Sequence, residues 1–138
     1  MKKPMQFNTK TIHGGQEPDP AYGAVMPPIY QTSTYAQAEP GGHKGYEYSR
    51  THNPTRTALE KSMASIENGE YGLCFASGLA AIDAVIKLLQ PGDEVLSSND
   101  LYGGSYRLFA KIFEGMGIRF HFVDLTDPQR VAEKLNDK

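Results

Sequence analysis

Seven of the nine prolines fall in the first 54 residues: Pro4, Pro18, Pro20, Pro27, Pro28, Pro40 and Pro54. Each proline fixes φ and removes a backbone donor, so such a stretch supports neither a long helix nor a central strand. The segment "PPIYQTSTYAQAEPGGHKG" adds Gly41 and Gly42 to Pro27, Pro28 and Pro40. A segment of this kind cannot build a core of its own. It is rich in Tyr, Ile and Val rather than in charge, which argues against disorder. Residues 1–54 therefore read as an ordered arm that lies on a partner surface.

A regular pattern begins after the arm. Asn53-Pro54 predicts a helix start, with Asn at the N-cap and Pro at the first helical position. Leu59, Met63 and Ile66 then form one apolar stripe, and Asn68-Gly69 ends it. "YGLCFA" (residues 71–76) reads as a short buried strand. "SGLAAIDAVIKLLQPG" reads as a helix capped by Ser77 and stopped by Pro91-Gly92. "EVLSS" (94–98) is a second strand, and "SYRLFAKIFEGMG" is a helix ended by Gly115 or Gly117. "IRFHFVD" (118–124) is a third strand, and Asp127-Pro128 opens a last helix running to Asp137. This alternation predicts an α/β layer with a largely parallel sheet. Three strands leave a bare edge, and no closing strand follows "EKLNDK". The chain reads as the N-terminal piece of something longer, with residues 55–138 the first portion of an incomplete α/β domain.

Composition removes several function classes. Hydrophobic residues make up 39% and charged residues 22% of the 138, which is ordinary for a globular protein. A net charge of −2 with scattered basic residues gives no footprint for nucleic acid. No apolar run approaches the roughly 18–20 residues of a membrane span, and no apolar region follows the basic start "MKKP". One cysteine forbids an intrachain disulfide and suits a reducing, cytoplasmic setting. Cys74 lies mid-strand, as a buried structural thiol would. His13, His43, His52 and His121 have no metal-ligand spacing, and no Walker or G-x-G-x-x-G motif is present.

Three stretches can carry chemistry. In "FASGLAA" a strand runs into Ser-Gly and then a helix, which presents free N–H groups and a positive dipole end to an anion. There Ser77 and Gly78 hold a phosphate, or Ser77 only caps the helix and Gly78 only packs. In "NDLYGGSYRLF", Tyr102 stacks on a planar ring and Arg107 forks a carboxylate; the plain alternative is a Gly-Gly turn with a tyrosine beneath it. In "GYEYSRTHNPTR", Tyr48 and Arg50 are two apart and share one side of an extended segment. They form an anion clamp, or a solvated arginine beside a packed tyrosine.

Taken in order, "PPIYQTSTY", "YEYSRTHNPTR", "FASGLAAI" and "DLYGGSYRLF" resemble the N-terminal part of the Cys/Met-metabolism enzymes that use pyridoxal 5′-phosphate (PLP). The resemblance runs from about Thr11 to the end and is nearest the cystathionine γ-lyases and γ-synthases. It implies a PLP-dependent transferase fold of the aspartate aminotransferase-like kind (fold type I). In such a fold this chain supplies the arm and the first part of a large, mostly parallel-sheet domain. The resemblance also implies a homo-oligomer, a tetramer built as a dimer of dimers, acting on a small sulfur amino acid or activated homoserine.

The resemblance assigns roles as well. Tyr48 and Arg50 would bind the PLP phosphate of a neighbouring subunit. Ser77, Gly78 and Leu79 would cradle that phosphate, the last two through backbone N–H; many relatives have Met at the position of Leu79. Tyr102 would stack on the pyridine ring and serve acid/base steps. Arg107 resembles a substrate-carboxylate contact, and Glu47 a position that meets the distal end of cystathionine.

Methionine γ-lyases typically carry Cys two residues after the stacking Tyr; Gly104 stands there here, which points to the cystathionine enzymes. "YGGSYRLF" leans to synthases, whereas "GYEYSR" is shared with lyases. Methionine γ-lyase and cystathionine β-lyase remain alternatives within the family. The family's chemistry also needs a reactive lysine and an aspartate paired with the pyridinium nitrogen, and the resemblance places both beyond residue 138. Lys10 in "FNTK" lacks the preceding Ser of the family's Ser-x-Thr-Lys site and is wrongly placed. The chain alone is therefore expected to be inactive, and a non-catalytic fragment that binds the cofactor phosphate or pairs with another subunit is the competing reading.

Overall fold

A computed structural model of the chain describes residues 5–136. The basic start at residues 1–4 lies outside the described residues, whereas the last helix, predicted to run to Asp137, is shorter than expected and ends at Ala132. The chain forms two compact units that divide after Cys74.

The first unit holds two helices and the arm. α1 spans Phe7–His13 and α2 spans Pro54–Glu67. α2 begins as its sequence predicts: the Asn53 side chain accepts from the Thr55 N–H (2.9 Å), and Pro54 occupies the first turn. It ends with Asn68 in the left-handed region (φ 55°). α1 was not predicted. Its seven residues show no apolar stripe to read, and Phe7 and Ile12 are exposed. The helix gains its place by packing on α2. The turn that follows needs glycine: Gly15 has φ +70°, and a Cβ there would stand 2.4 Å from the Lys61 carbonyl carbon.

The predicted strand at residues 71–76 is a correction. Among the described residues this segment pairs with no strand. Tyr71, Leu73 and Phe75 are exposed, and the Cys74 N–H donates to Glu60 Oε1 of α2 (3.1 Å). A strand exists only where a neighbour completes its ladder, and an apolar run does not supply that neighbour. Cys74 is half-buried, more open than a core thiol.

The second unit has the expected order with shifted boundaries. α3 (Gly78–Ile86), β1 (Glu94–Ser98), α4 (Gly103–Leu108), β2 (Arg119–Val123) and α5 (Pro128–Ala132) follow one another. β1 and β2 pair in parallel, with Glu94 opposite Arg119 and Ser98 opposite Val123. α3 stops at Ile86, five residues before Pro91, and 3₁₀-type bonds from Leu88 to Val85 and from Leu89 to Ile86 finish its last turn. α4 starts at Gly103, ahead of the predicted Ser105, so the Gly-Gly pair is a first helical turn and not a loop. The chain then widens into a π-helical turn over Phe109–Phe113 and tightens into a 3₁₀ turn that ends at Gly117 (φ 89°). α5 is capped by Asp127, whose carboxylate accepts the Gln129 N–H (3.0 Å).

The core of this unit is Ile86, Phe109, Phe113, Ile118 and Phe120. Phe109 and Phe120 stack with centroids 4.5 Å apart and planes at 9°. The π turn keeps Phe109 and Phe113 on the same buried face, and Phe113 is only 2% exposed. This packing fixes one side of α4 and leaves Arg107, and Tyr102 just before the helix, exposed.

Candidate functional site

In the second unit the decisive geometry is the first turn of α3. Ser77 has extended dihedrals, its Oγ accepts the Ala80 N–H (3.1 Å), and its carbonyl accepts the Ala81 N–H (3.2 Å). Among the described residues, the N–H groups of Gly78 and Leu79 meet no protein acceptor. Two donors are thus left at the positive end of a nine-residue helix. A Cβ built on Gly78 would meet nothing within 4 Å, so nothing else in this unit crowds the turn. Ser77 caps the helix as its type predicts, and because it occupies only the third N–H, the first two are left without a protein acceptor among the described residues.

Leu79 also lines a cleft of about 270 Å³ with Gly104, Arg107, Leu108, Lys111 and Ile112. The structure therefore brings Leu79 and Arg107, twenty-eight positions apart, to one concavity. Among the described residues neither Arg107 nor Lys111 has an ion-pair partner. Two uncompensated cations on apolar walls suit an anionic group. Lys111 went unremarked in the sequence, although its i+4 spacing from Arg107 on a predicted helix was the available signal. Tyr102 stands at the N-cap position of α4, beyond the carboxyl end of β1, and the residue is 71% exposed. Its carbonyl accepts the N–H groups of Ser105 (2.9 Å) and Tyr106 (3.2 Å).

Tyr48, Arg50 and Glu47 belong to the first unit. Residues 33–35 and 47–49 lie antiparallel through the Thr34–Tyr48 bridge, with Ser49 N–H donating to Ser33 O (2.8 Å) and Tyr35 N–H to Glu47 O (3.1 Å). The extended geometry predicted for Tyr48 to Arg50 is replaced by a turn: the N–H groups of Thr51 and His52 both reach the Tyr48 carbonyl. The two side chains still meet, because the Arg50 guanidinium carbon lies 5.0 Å from the Tyr48 ring centroid. Arg50 is exposed and has no carboxylate partner among the described residues, so its charge remains available to an anion. Glu47 is exposed too.

The loop that carries them is held by residues whose second role the sequence did not reveal. Asn53 caps α2 with its oxygen and donates through Nδ2 to Tyr30 O and Ser49 Oγ, both at 3.0 Å. Thr55 bridges Pro28 O (3.0 Å) and the Tyr30 N–H (2.9 Å). Arg56 donates to the carbonyls of Ser49 and Thr51 and pairs with Glu60 at 3.6 Å. One helix start thus ties the arm and the clamp loop together. A larger cavity of about 980 Å³ is walled by Tyr30, Tyr35 and Tyr46 among others, and none of Glu47, Tyr48 and Arg50 lines it. Lys10 donates to Asn68 Oδ1 (2.5 Å), a helix-end contact. No described helix is long and apolar enough to cross a membrane.

Comparison with known proteins bears on the same residues. The chain is 53% identical over 137 residues to a cystathionine beta-lyase of Coxiella burnetii, covering 99% of this chain and 35% of that protein. It is 51% identical to a probable cystathionine gamma-synthase of Herpetosiphon aurantiacus, covering 94% of this chain and 40% of that protein. The solved structure of cystathionine gamma-lyase from Lactobacillus plantarum, complexed with L-serine, superposes with a TM-score of 0.84 at 43% identity, over 96% of this chain and 34% of its own. The chain thus spans about a third of the length of the relatives it matches. The family model of Cys/Met metabolism PLP-dependent enzymes matches residues 8–138, and it is to this family that the chain belongs.

Proposed function

We propose that this chain supplies the phosphate grip, the ring-stacking residue and part of the substrate contact of a PLP-dependent transsulfuration enzyme. The substrate class is a sulfur amino acid such as cystathionine, or an activated homoserine. The observation that carries this reading is the first turn of α3, where the N–H groups of Gly78 and Leu79 stand without protein acceptors. A phosphate oxygen fits there: the turn is open above Gly78, the helix end is positive, and the Ser77 hydroxyl is free to donate while it accepts from Ala80. Arg107, with no carboxylate of its own, orients the substrate carboxylate. Tyr102, exposed at the start of α4, covers the face of the pyridine ring and holds or moves a proton at its hydroxyl. When bound, the cofactor draws electrons from the amino acid so that protons can leave carbon.

Tyr48 and Arg50 serve the same phosphate from a neighbouring copy in a homo-oligomer, a tetramer built as a dimer of dimers. Glu47 faces the far end of the substrate. Residues 1–54 act as the arm that reaches that neighbour, residues 55–138 as the first part of the cofactor-binding domain, and the enzyme works in the cytoplasm. The γ-lyase and γ-synthase activities rest on the same residues, and the 53% identity to a cystathionine beta-lyase keeps β-elimination as the second reading.

The test uses pyridoxamine 5′-phosphate, which carries the phosphate but no aldehyde to react with lysines. The chain should bind it at least tenfold more tightly than pyridoxamine, and Ser77→Ala should narrow the difference without abolishing it, because the Gly78 and Leu79 amides remain, read by calorimetry. Equal affinity for the two ligands contradicts the phosphate grip.

A further inference from the structure

Ser49 stands between Tyr48 and Arg50, and every polar group it carries is engaged. Its N–H donates to Ser33 O (2.8 Å) and its hydroxyl to Thr32 O (2.5 Å). A carbonyl only accepts, so the hydroxyl hydrogen goes to Thr32 and the lone pairs of the oxygen are left for donors. Asn53 Nδ2 fills one of them at 3.0 Å, and the Tyr35 hydroxyl stands 3.4 Å from the same oxygen. The Ser49 carbonyl accepts from Arg56 (3.4 Å). A single hydroxyl thus joins the arm, at Thr32 and Tyr35, to the N-cap of α2.

The neighbours of Ser49 are the reverse. The Tyr48 hydroxyl and the Arg50 guanidinium have no hydrogen-bond partner among the described residues. Alternate residues of an extended stretch face opposite ways, so Tyr48, bridged to Thr34, turns away from the side that Ser49 uses. Arg50 follows in the turn closed by the N–H groups of Thr51 and His52 on Tyr48 O (3.1 and 3.0 Å). That turn brings its guanidinium carbon to 5.0 Å from the Tyr48 ring centroid.

We infer that Ser49 is a positioning residue for the clamp: its hydroxyl fastens the turn to the arm and to the α2 cap, which holds the Tyr48 ring and the Arg50 guanidinium together with their polar ends unpaired. Alanine at 49 removes the donor to Thr32 and the acceptor for Asn53. The turn then keeps only its backbone bonds and the contact from Arg56, and Arg50 swings away from the ring. Threonine keeps both roles of the hydroxyl. The consequence for an anion rests on the proposed role of Tyr48 and Arg50; the consequence for their placement does not.

The experiment compares Ser49→Ala with Ser49→Thr. Ser49→Cys, which fills the space but bonds weakly, serves under reducing conditions where alanine unfolds the first unit. Thr11→Ala, which removes a hydroxyl bond to Asn8 O in α1 (2.8 Å), is the matched control. Two quantities are read by NMR: Overhauser contacts between the Arg50 side chain and the Tyr48 ring, and the response of the Arg50 Nε–H to inorganic phosphate. Ser49→Ala and Ser49→Cys should lose the contacts and weaken phosphate about twofold to tenfold, the range that a lost hydrogen bond supplies. Ser49→Thr should restore both, and Thr11→Ala should change neither. Intact Arg50–Tyr48 contacts in Ser49→Ala and Ser49→Cys overturn the inference, as does a Ser49→Thr chain that behaves like Ser49→Ala. If the contacts are lost in Ser49→Ala but the wild-type Arg50 never responds to phosphate, the positioning by Ser49 stands and the clamp reading of Tyr48 and Arg50 falls.

Discussion

The two units hold their functional groups by different physics. The second unit is built around a small aromatic and aliphatic core, and its candidate groups are backbone N–H donors and side chains at helix starts. The first unit buries almost no large apolar side chain; Ala64 is its one buried hydrophobic residue among those described. Its arm is held instead by side chain to backbone hydrogen bonds that converge on Asn53, Thr55 and Arg56 at the start of α2. A core resists the loss of any one contact poorly only when a large residue is removed. A polar tether fails one bond at a time, and water competes for each bond. The proposed cofactor cradle should therefore be stiff and the proposed clamp loop compliant, which suits a loop whose anion is proposed to lie in another copy.

Removing Phe113 should show the first half of that contrast most strongly. Phe113→Ala deletes the most buried side chain of the core and should cost about 3–5 kcal/mol, enough to unfold the second unit. Chemical denaturation followed by the amides of residues 75–136 checks this, and the first unit's amides should change little.

Asn53→Ala tests the other half. It removes a helix cap and two loop bonds at once and should cost roughly 1–2 kcal/mol, in the range of capping losses. Hydrogen exchange should speed up at Tyr30, Ser49 and Thr55 while residues 75–136 keep their protection. Exchange that rises equally in both units would show that the tether is not local.

Ser77→Ala should destabilise α3 by about 1 kcal/mol through its lost cap, seen as a small fall in melting temperature. Its larger consequence should be on phosphate affinity, and equal stability with unchanged affinity would remove Ser77 from the account.

The smallest expected effect is one of pH. Hydrogen bonds from Asn136 and His121, with Arg119 nearby at 2.5 Å, hold the Glu94 carboxyl below its ordinary range. A carboxylate depressed in the folded state contributes stability above its unfolded pKa, and that contribution is lost as pH falls through the folded value. Glu94→Gln should therefore lower the stability of the second unit slightly at neutral pH, flatten the acid limb of its stability curve, and leave the stability below the folded pKa nearly unchanged. The Glu94 cluster sits at the amino ends of β1 and β2, so ligand affinity should not follow it.

Local chemistry was legible where one residue decides one boundary. Asn53-Pro54, Ser77 and Asp127-Pro128 all cap as their types predict, because a cap is satisfied within three residues. The strands at residues 94–98 and 119–123 were legible because they pair with each other. Residues 71–76 have equally apolar character and were misread, since strand pairing depends on a neighbour that an apolar run cannot specify. α1 was invisible because its place comes from packing on α2 rather than from a stripe of its own. The π turn at Phe109–Phe113 has no signature in spacing. At the site, four motifs in order identified the family, and each quoted residue was visible. The second bonds of Asn53 were not, because they depend on where a side chain turns after the backbone is set.

The central claim is that the Gly78 and Leu79 amides are free to hold a phosphate. Titrating ¹⁵N-labelled chain with pyridoxamine 5′-phosphate, with pyridoxamine in parallel, tests it residue by residue. The account predicts that the amides of Gly78 and Leu79 shift most, and only with the phosphorylated ligand. Amides at that turn that stay still, or that move equally with pyridoxamine, would contradict it.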